Sequence, residues 1–520
     1  MKLVIAEEMQ KMDKETIKSY GIPGVVLMEI AGLGATLFLL DEIKDIKNRK
    51  VSVVAGRGNN GGDGFVIARY LINRGVEVKV FLLSEKDKVQ GDAKFNLDLL
   101  SPLKISVTEI LSTDDLNKNK GSILHSDIIV DAIFGTGLNA DVRGHFKDVI
   151  NFINSLEKKV LAVDIPSGLN ADTGKICGVC VRADFTATFG LAKTGHFIYP
   201  GKELTGKLKI IEIGIPNFII DKVNPGNRLI KEKRIKIILK QRDKESHKGT
   251  TGHTLVIGGS NGKSGAVIMT SKAAARSGAG LVTTAVPKSL SQSVDTSFID
   301  GMTYGLPEMD DRSIAATSKK EIEELSRGKN CIAIGPGIGT SKDIRKVVED
   351  VIKSSEIPVV MDADGINAIS DNLSVLKVAK APIILTPHPG EMAKLLKISS
   401  KEVQSDRLKH ANKFAKKHNV YMVLKGAATV IATPYGRTLI NSTGNEGMAT
   451  GGMGDVLTGM IAGFITQGYE ITDSIVTGVF LHGLAADSIY SDENKPFGYL
   501  ATDLIEKIPG VIGKILNEKS

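Results

Sequence analysis

Val51-Ser52-Val53-Val54-Ala55-Gly56-Arg57-Gly58-Asn59-Asn60-Gly61-Gly62-Asp63-Gly64-Phe65-Val66-Ile67-Ala68 is the stretch that decides the fold. Residues 51–54 are a short β-branched run, which reads as a strand. A glycine loop follows, and glycine is the residue that lets a chain turn tightly where a backbone must come close. From 65 to 74 the spacing turns helical, with Phe65, Ala68, Leu71 and Ile72 on one face. Strand, glycine loop and helix in that order open a βαβ unit, which implies a parallel sheet covered by helices on both faces.

Working outward, the theme repeats. Residues 76–83 are apolar enough for a buried strand, and 127–131 and 160–164 are apolar strands that end in an aspartate before a glycine loop. In such sheets ligands bind beyond the carboxyl ends of the strands, where loops 56–63, 131–137 and 164–168 all fall. The second half restarts the pattern. Residues 254–257, 331–334, 359–361, 383–386 and 421–424 read as strands, with a helix at 266–277 and another from Asp455 to about 467. Between the halves lies Pro225-Gly226 and a run rich in lysine and arginine up to Lys248, more in keeping with a solvated connector than a binding arm. The expected organisation is two α/β domains, 1–225 and 226–520, the first a Rossmann-like three-layer αβα unit. No strict repeat relates them.

Bulk composition agrees. A chain of 520 residues exceeds what one core supports. Apolar residues make up 42% and charged residues 24%, as in ordinary globular proteins. The net charge of +8 is spread among acids, and no aromatic-interleaved basic stripe exists, so anionic small molecules are favoured over nucleic acid. Three cysteines cannot build a disulfide framework, and Cys177-Gly178-Val179-Cys180 without a second pair reads as a loop more than a redox or metal motif. No apolar leader and no uncharged run of about 18 apolar residues stand out. The expectation is a cytoplasmic protein with no membrane span.

Two loops carry chemistry. In the first, Gly56, Gly58 and Gly61 satisfy a dinucleotide-binding glycine pattern, but Asn59, Asn60 and Asp63 crowd it with polar groups, and a carboxylate there repels a pyrophosphate. Amides and carboxylates suit a cation or a polar ring better. Asp131, Asp164 and Ser167 from neighbouring strand ends complete an oxygen-rich pocket; the plainer alternative is that the two aspartates cap their loops. In the second, Gly451-Gly452-Met453-Gly454-Asp455 precedes a helix, whose N-terminus favours anions, and Asp455 there accepts a proton from an attacking hydroxyl or is merely an N-cap. Gly258-Gly259-Ser260-Asn261-Gly262-Lys263-Ser264 falls short of a P-loop because Ile257 stands where its first glycine belongs.

Taken with Asp131-Ala132-Ile133-Phe134-Gly135-Thr136-Gly137, Asp164-Ile165-Pro166-Ser167-Gly168 and Thr188-Phe189-Gly190, the first loop makes residues 1–220 resemble the NAD(P)H-hydrate epimerase domain. The resemblance implies that Asn59, Asn60, Gly61, Gly62, Asp63, Gly135, Thr136, Gly137, Leu138, Asn139, Ala140 and Asp141 contact the hydrated nucleotide. It implies potassium held by Asn60, Asp131 and Ser167, with Asp164 catalytic and bound to substrate. Asn170 departs from the aspartate common there.

Residues 230–515 are similar to ADP/ATP-dependent NAD(P)H-hydrate dehydratases of the ribokinase-like superfamily. The resemblance rests on Ser246-His247-Lys248-Gly249, 258–266, Gly335-Pro336-Gly337-Ile338-Gly339, Thr386-Pro387-His388-Pro389-Gly390-Glu391, Lys425-Gly426-Ala427-Ala428-Thr429 and 451–455, in that order. It implies that Ala266, Gly337, His388 and Asp455 meet the hydrate and that Lys425, Gly426, Ala427, Ala428, Thr429 and Gly454 hold ADP or ATP. Asp455 is then catalytic and Mg2+ accompanies the nucleotide. Met453 departs from the small or hydroxylated residue usual at its place. A homo-oligomer is expected. Two other readings stay open: a small-alcohol kinase on the same scaffold, and a first domain that binds without catalysing.

Overall fold

The computed structural model describes residues 1–517, which fall into two units, Lys2–Asn227 and the chain from Arg228 onward. In the first unit the strands are β1 (Lys50–Ala55), β2 (Glu77–Leu82), β3 (Val107–Glu109), β4 (Ile128–Ala132), β5 (Lys159–Val163), β6 (Phe185–Phe189) and β7 (Lys207–Ile211). They form one sheet in the order β3-β2-β1-β4-β5-β6-β7, parallel throughout. Val53 and Val54 are adjacent in sequence but enter different cores, as the period of two requires. Val53 lies with α2 (Gly24–Glu42) and α3 (Asn59–Ile72), and Val54 with α4 (Thr113–Leu124) and α5 (Gly144–Asn154). The result is three layers with helices on both faces, as the β-branched runs predict.

The most apolar helix of this unit is α2. It is long and apolar enough to cross a membrane by length and composition, although Glu29 interrupts the run. Here it buries Leu27, Ala31, Ala35, Phe38 and Leu39 against the sheet. Burial of each larger side chain contributes about 1.5–3 kcal/mol.

The second unit holds β8 (His253–Ile257), β9 (Leu281–Pro287), β10 (Met302–Leu306), β11 (Cys331–Ile334), β12 (Val359–Met361), β13 (Ile383–Leu385), β14 (Tyr421–Leu424), β15 (Val430–Ala432) and β16 (Thr438–Ile440). Their order is β16-β15-β14-β13-β12-β11-β8-β9-β10, with β14-β15-β16 antiparallel and the rest parallel. The helices that matter for function are α6 (Ser264–Arg276), α7 (Pro389–Leu396), α8 (Arg407–His418), α9 (Met453–Thr466) and α10 (Ile471–Asp492). Helix α9 is buried along nearly its whole length. It approaches α6 so closely that a Cβ on Gly459 would lie 2.1 Å from the Thr270 carbonyl oxygen.

Helix starts differ from expectation. The first-loop residues 59–63 are not a loop but the opening turns of α3, with Gly58 as N-cap. Glycine is needed inside that helix because a Cβ on Gly61 would meet the Gly56 carbonyl oxygen at 1.9 Å. Helix α9 likewise starts at Met453, behind Gly452 in the left-handed region (φ 88°).

Candidate active sites

In the first unit the ends of β1, β4, β5 and β6 open onto a cavity of about 1010 Å³. Asn59, Asn60, Asp63, Asp164 and residues 135–138 line it, as does Lys193. Gly61 and Gly62 are buried in α3, where they make room for backbone and for Met28. Residues 139–141 are exposed and lie outside the cavity lining.

Asp164 follows β5 with φ of 65°, a conformation few side chains adopt without cost. Its Oδ1 accepts from Thr188 Oγ1 at 3.0 Å and the Phe189 amide at 3.2 Å, and it forms an ion pair with the Lys193 ammonium. Lys193 is 1% exposed and also donates to Thr188 Oγ1 (3.0 Å) and the Phe189 carbonyl (3.1 Å), which satisfies all three of its protons. Burial works against ionisation of Asp164, but the Lys193 charge and these hydrogen bonds outweigh it and hold the carboxyl below its ordinary value. The Lys193 amide donates to His196 Nδ1 (3.2 Å), which leaves His196 Nε2 to donate to the Asp164 carbonyl (3.1 Å). Burial first, and Lys193 second, push that imidazole down to about 3, so it stays neutral.

Asp63 is the counterpart. Burial, reinforced by the Asp164 charge, raises its carboxyl well above the usual range. Asp13, on α1 (Ala6–Glu15), is pushed up to about 6 by burial, against the pull of Lys193. The cavity thus presents one ionised carboxylate and one held as the acid, the pairing that proton shuttling needs. Sequence reasoning found Asp63 and Asp164 but missed Lys193 and Asp13. For Lys193 a faint signal existed, its place just after the Thr188-Phe189-Gly190 strand end.

Asn60 and Ser167 meet at the backbone of Phe134, and Asp131 joins them through Ser167. Asn60 Nδ2 donates to the Phe134 carbonyl (3.0 Å), and the Phe134 amide donates to Ser167 Oγ (2.8 Å). Asp131 accepts the Ser167 amide at 2.8 Å and the Ile133 amide at 3.3 Å, and burial pushes it up to about 6. With its nitrogen engaged, Asn60 keeps Oδ1 as an acceptor, so the donors available are all oxygen with a single carboxylate among them. That set fits a hard monovalent cation. Asn170 is explained locally: its Oδ1 accepts the Asp172 and Thr173 amides (3.1 and 2.9 Å), while Nδ2 donates to the Leu138 carbonyl at 3.4 Å, a bond no aspartate could make.

In the second unit the centre is an ion pair between Asp362, at the end of β12, and Lys425, at the end of β14. Thr458 Oγ1 of α9 donates to Asp362 Oδ2 at 3.0 Å. Burial opposes ionisation of Asp362, but Lys425 wins and its carboxyl sits below the ordinary value. Asp455 occupies the third residue of α9, so it is not the cap; Gly452 is. Burial pushes Asp455 up to about 7, Asp362 and Glu391 add to this, and Lys425 opposes it. A Cβ on Gly454 would lie 3.1 Å from Lys425 Nζ, so the glycine admits the ammonium to the helix N-terminus. Lys425 is therefore part of the acid cluster as well as the opening residue of the 425–429 loop. Neither this partnership nor Asp362 was read from sequence.

Ala266 and Gly337 meet, the Ala266 Cβ being 3.3 Å from a Cβ placed on Gly337 (φ 63°). Thr270 Oγ1 joins α6 to α9 by donating to the carbonyls of Ala266 (3.0 Å) and Asp455 (3.1 Å). His388 is exposed and caps α7: its Nδ1 accepts the Gly390 amide at 2.9 Å, and its own amide donates to Glu391 Oε2 at 2.8 Å. Met453 is buried in the hydrophobic core of the unit, so its bulk is directed into packing. Cys177, Cys180 and Cys331 are unpaired and buried, and burial pushes each thiol up, which leaves them unreactive.

Comparison with known proteins gives a consistent result. Residues 254–510 match the family model described as NAD(P)H-hydrate dehydratase, and 24–195 match that of the YjeF-related protein N-terminus. The bifunctional NAD(P)H-hydrate repair enzyme Nnr of Moorella thermoacetica is 39% identical over 519 residues, covering 100% of this chain and 98% of that protein. The enzyme of the same name from Thermofilum pendens is 37% identical, covering 98% of this chain and 96% of that protein. Among solved structures, an ADP/ATP-dependent NAD(P)H-hydrate dehydratase from Bacillus subtilis co-crystallized with ATP/Mg2+ is 30% identical with a TM-score of 0.49, over 55% of this chain and 98% of that one.

Proposed function

Since this chain belongs to the family of bifunctional NAD(P)H-hydrate repair enzymes, we propose how its two units divide the work. The first interconverts the R and S hydrates of NADH or NADPH, and the second dehydrates the S epimer at the expense of ADP or ATP. The reading assigns each reaction to the acids described above.

In the first cavity the ring nitrogen's lone pair expels the hydroxyl, which leaves as water once protonated, and water returns to the other face with loss of a proton. Asp164 as carboxylate and Asp63 as acid supply the acceptor and donor. Residues 59–60 and 135–138 hold the substrate. Asn60, Asp131 and Ser167 would hold potassium, which when bound supplies fixed positive charge beside an anionic nucleotide.

In the second site Asp455 takes the proton of the ring hydroxyl as the hydroxyl oxygen attacks the terminal phosphoryl group, and the P–O bond to the rest of the nucleotide breaks to release AMP from ADP, or ADP from ATP. Phosphate then departs under the push of the ring nitrogen, and loss of the neighbouring ring proton restores the reduced nicotinamide. Hydroxide leaves poorly and phosphate well, which is why a kinase-type scaffold suits a dehydration. The Gly454 and Asp455 amides at the start of α9 and the 425–429 loop face the nucleotide. Mg2+ would neutralise phosphate charge there. Among the described residues no group of three or more His, Cys, Asp or Glu is arranged as a metal site, so the ion would be held largely by the nucleotide's own oxygens.

The observation that carries the reading is Asp455, a half-buried acid poised near neutrality in the first turn of α9 beside the Lys425 ammonium. The test is direct. Hydrated NADH mixed with the chain, ADP and Mg2+ should regain the near-ultraviolet absorbance of the reduced nicotinamide, and Asp455→Asn should not support it. Phosphorylation of a small alcohol such as hydroxymethylpyrimidine, with the hydrate untouched, would favour the kinase alternative instead. We assign the reaction to the cytoplasm, in keeping with three unpaired thiols, and to a homo-oligomer, which sedimentation measurements can check.

A further inference from the structure

Arg407 is the first residue of α8 and lies behind the loop that joins β14 to β15. It is 6% exposed, and among the described residues no carboxylate pairs with its guanidinium. Its partners are main-chain carbonyls alone. Nη1 donates to Ala427 O at 2.5 Å, and Nη2 to Leu424 O at 2.9 Å and Lys425 O at 3.1 Å. Its Nε is buried with no partner. A buried charge without a counter-ion is costly, and here the dipoles of three inward-turned carbonyls are what offset it.

The loop's geometry shows what this does to its amides. In a trans peptide the N–H points opposite to the C=O. Carbonyls 424, 425 and 427 turn in towards the guanidinium, so the amides of Lys425, Gly426 and Ala428 turn away from it. The Lys425 amide is taken by the Pro387 carbonyl at 2.8 Å. Those of Gly426 and Ala428 belong to residues with φ of 136° and 55°, the kind of backbone that makes a concave set of N–H donors for anions. The loop wraps the guanidinium tightly: a Cβ on Gly426 would lie 3.0 Å from Nη2.

We infer that Arg407 is a positioning residue for the adenine nucleotide, drawing three carbonyls inward so that the amide ends of the 425–429 loop face the nucleotide's phosphates. The inference rests on the nucleotide reading of that loop given above. No substrate atom need touch Arg407; its charge acts through the peptide dipoles it aligns.

The experiment uses the full chain carrying Arg407→Gln or Arg407→Lys. ADP affinity is measured by titration without hydrate, and KM for ADP and kcat by dehydration at saturating hydrate. Arg407→Gln should raise Kd and KM for ADP by about tenfold or more, with kcat at saturating ADP held within about twofold. Arg407→Lys keeps the charge but not the planar fork, and should fall between. A merely structural role predicts the reverse, lower kcat from lost folded protein with KM unchanged, and that result would overturn the inference. So would Kd and KM within about twofold of the parent in a folded variant; should the glutamine variant not fold, the lysine variant decides. If the parent chain itself fails to bind ADP, the underlying nucleotide reading falls and this inference with it. Parent binding with unaffected variants removes the inference alone.

Discussion

Asp164 and Asp455 are both half-buried acids, and their surroundings set them on opposite sides of the ordinary carboxylate range. The difference has kinetic consequences. Asp455 accepts a proton only when ionised and is poised near 7, so dehydration should fall as pH drops through about 7, and a kcat–pH profile reads this directly. Asp455→Asn should lower kcat by about 10³-fold or more, with R–S exchange intact. Asp164 is held low chiefly by Lys193, so exchange should persist to lower pH. In Lys193→Met the carboxyl loses that support and its value rises, so the acid limb of the exchange profile should move upward. A profile that does not move would remove Lys193 from this role. Asp164→Ala should abolish exchange while S-specific dehydration continues, and unchanged exchange would refute the assignment of Asp164.

At the scale of elements, α9 is held in place by closeness. With the Thr270 carbonyl only 2.1 Å from where its Cβ would stand, Gly459→Ala must push α9 away from α6. That should cost about 1–3 kcal/mol, seen as a lower transition in thermal unfolding. Because Asp455 rides on the same helix, dehydration should fall while exchange in the other unit survives. Elements also set what could be read in advance. Parallel sheets and the loops at their carboxyl ends were legible, because β-branched runs and glycine clusters are local signals. Helix starts were not, since the glycines at 61 and 62 look like loop residues until one sees the backbone and the Met28 side chain they admit. Lys193, Asp362, Asp13 and Arg407 escaped for another reason. Each acquires its meaning from a partner on a different element, and single lysines, aspartates and arginines carry no spacing that announces such a meeting.

For the molecule as a whole, each unit has its own sheet and its own set of acids. Residues 1–227 and 228–520 expressed separately should therefore each keep one activity, exchange in the first and dehydration in the second, and loss of exchange from a folded first piece would contradict this. The apolar helix α2 has a length that suits a bilayer, yet one face of it, Leu27, Ala31, Ala35, Phe38 and Leu39, closes the core over the first sheet. Carrying both sites on a single chain has an outcome outside structure. One message yields both catalysts in equal number, so fluctuations in transcription or translation cannot alter the ratio of the two turnover capacities. The balance between generating the usable epimer and consuming it becomes a heritable constant of the gene, adjustable by mutation but immune to expression noise.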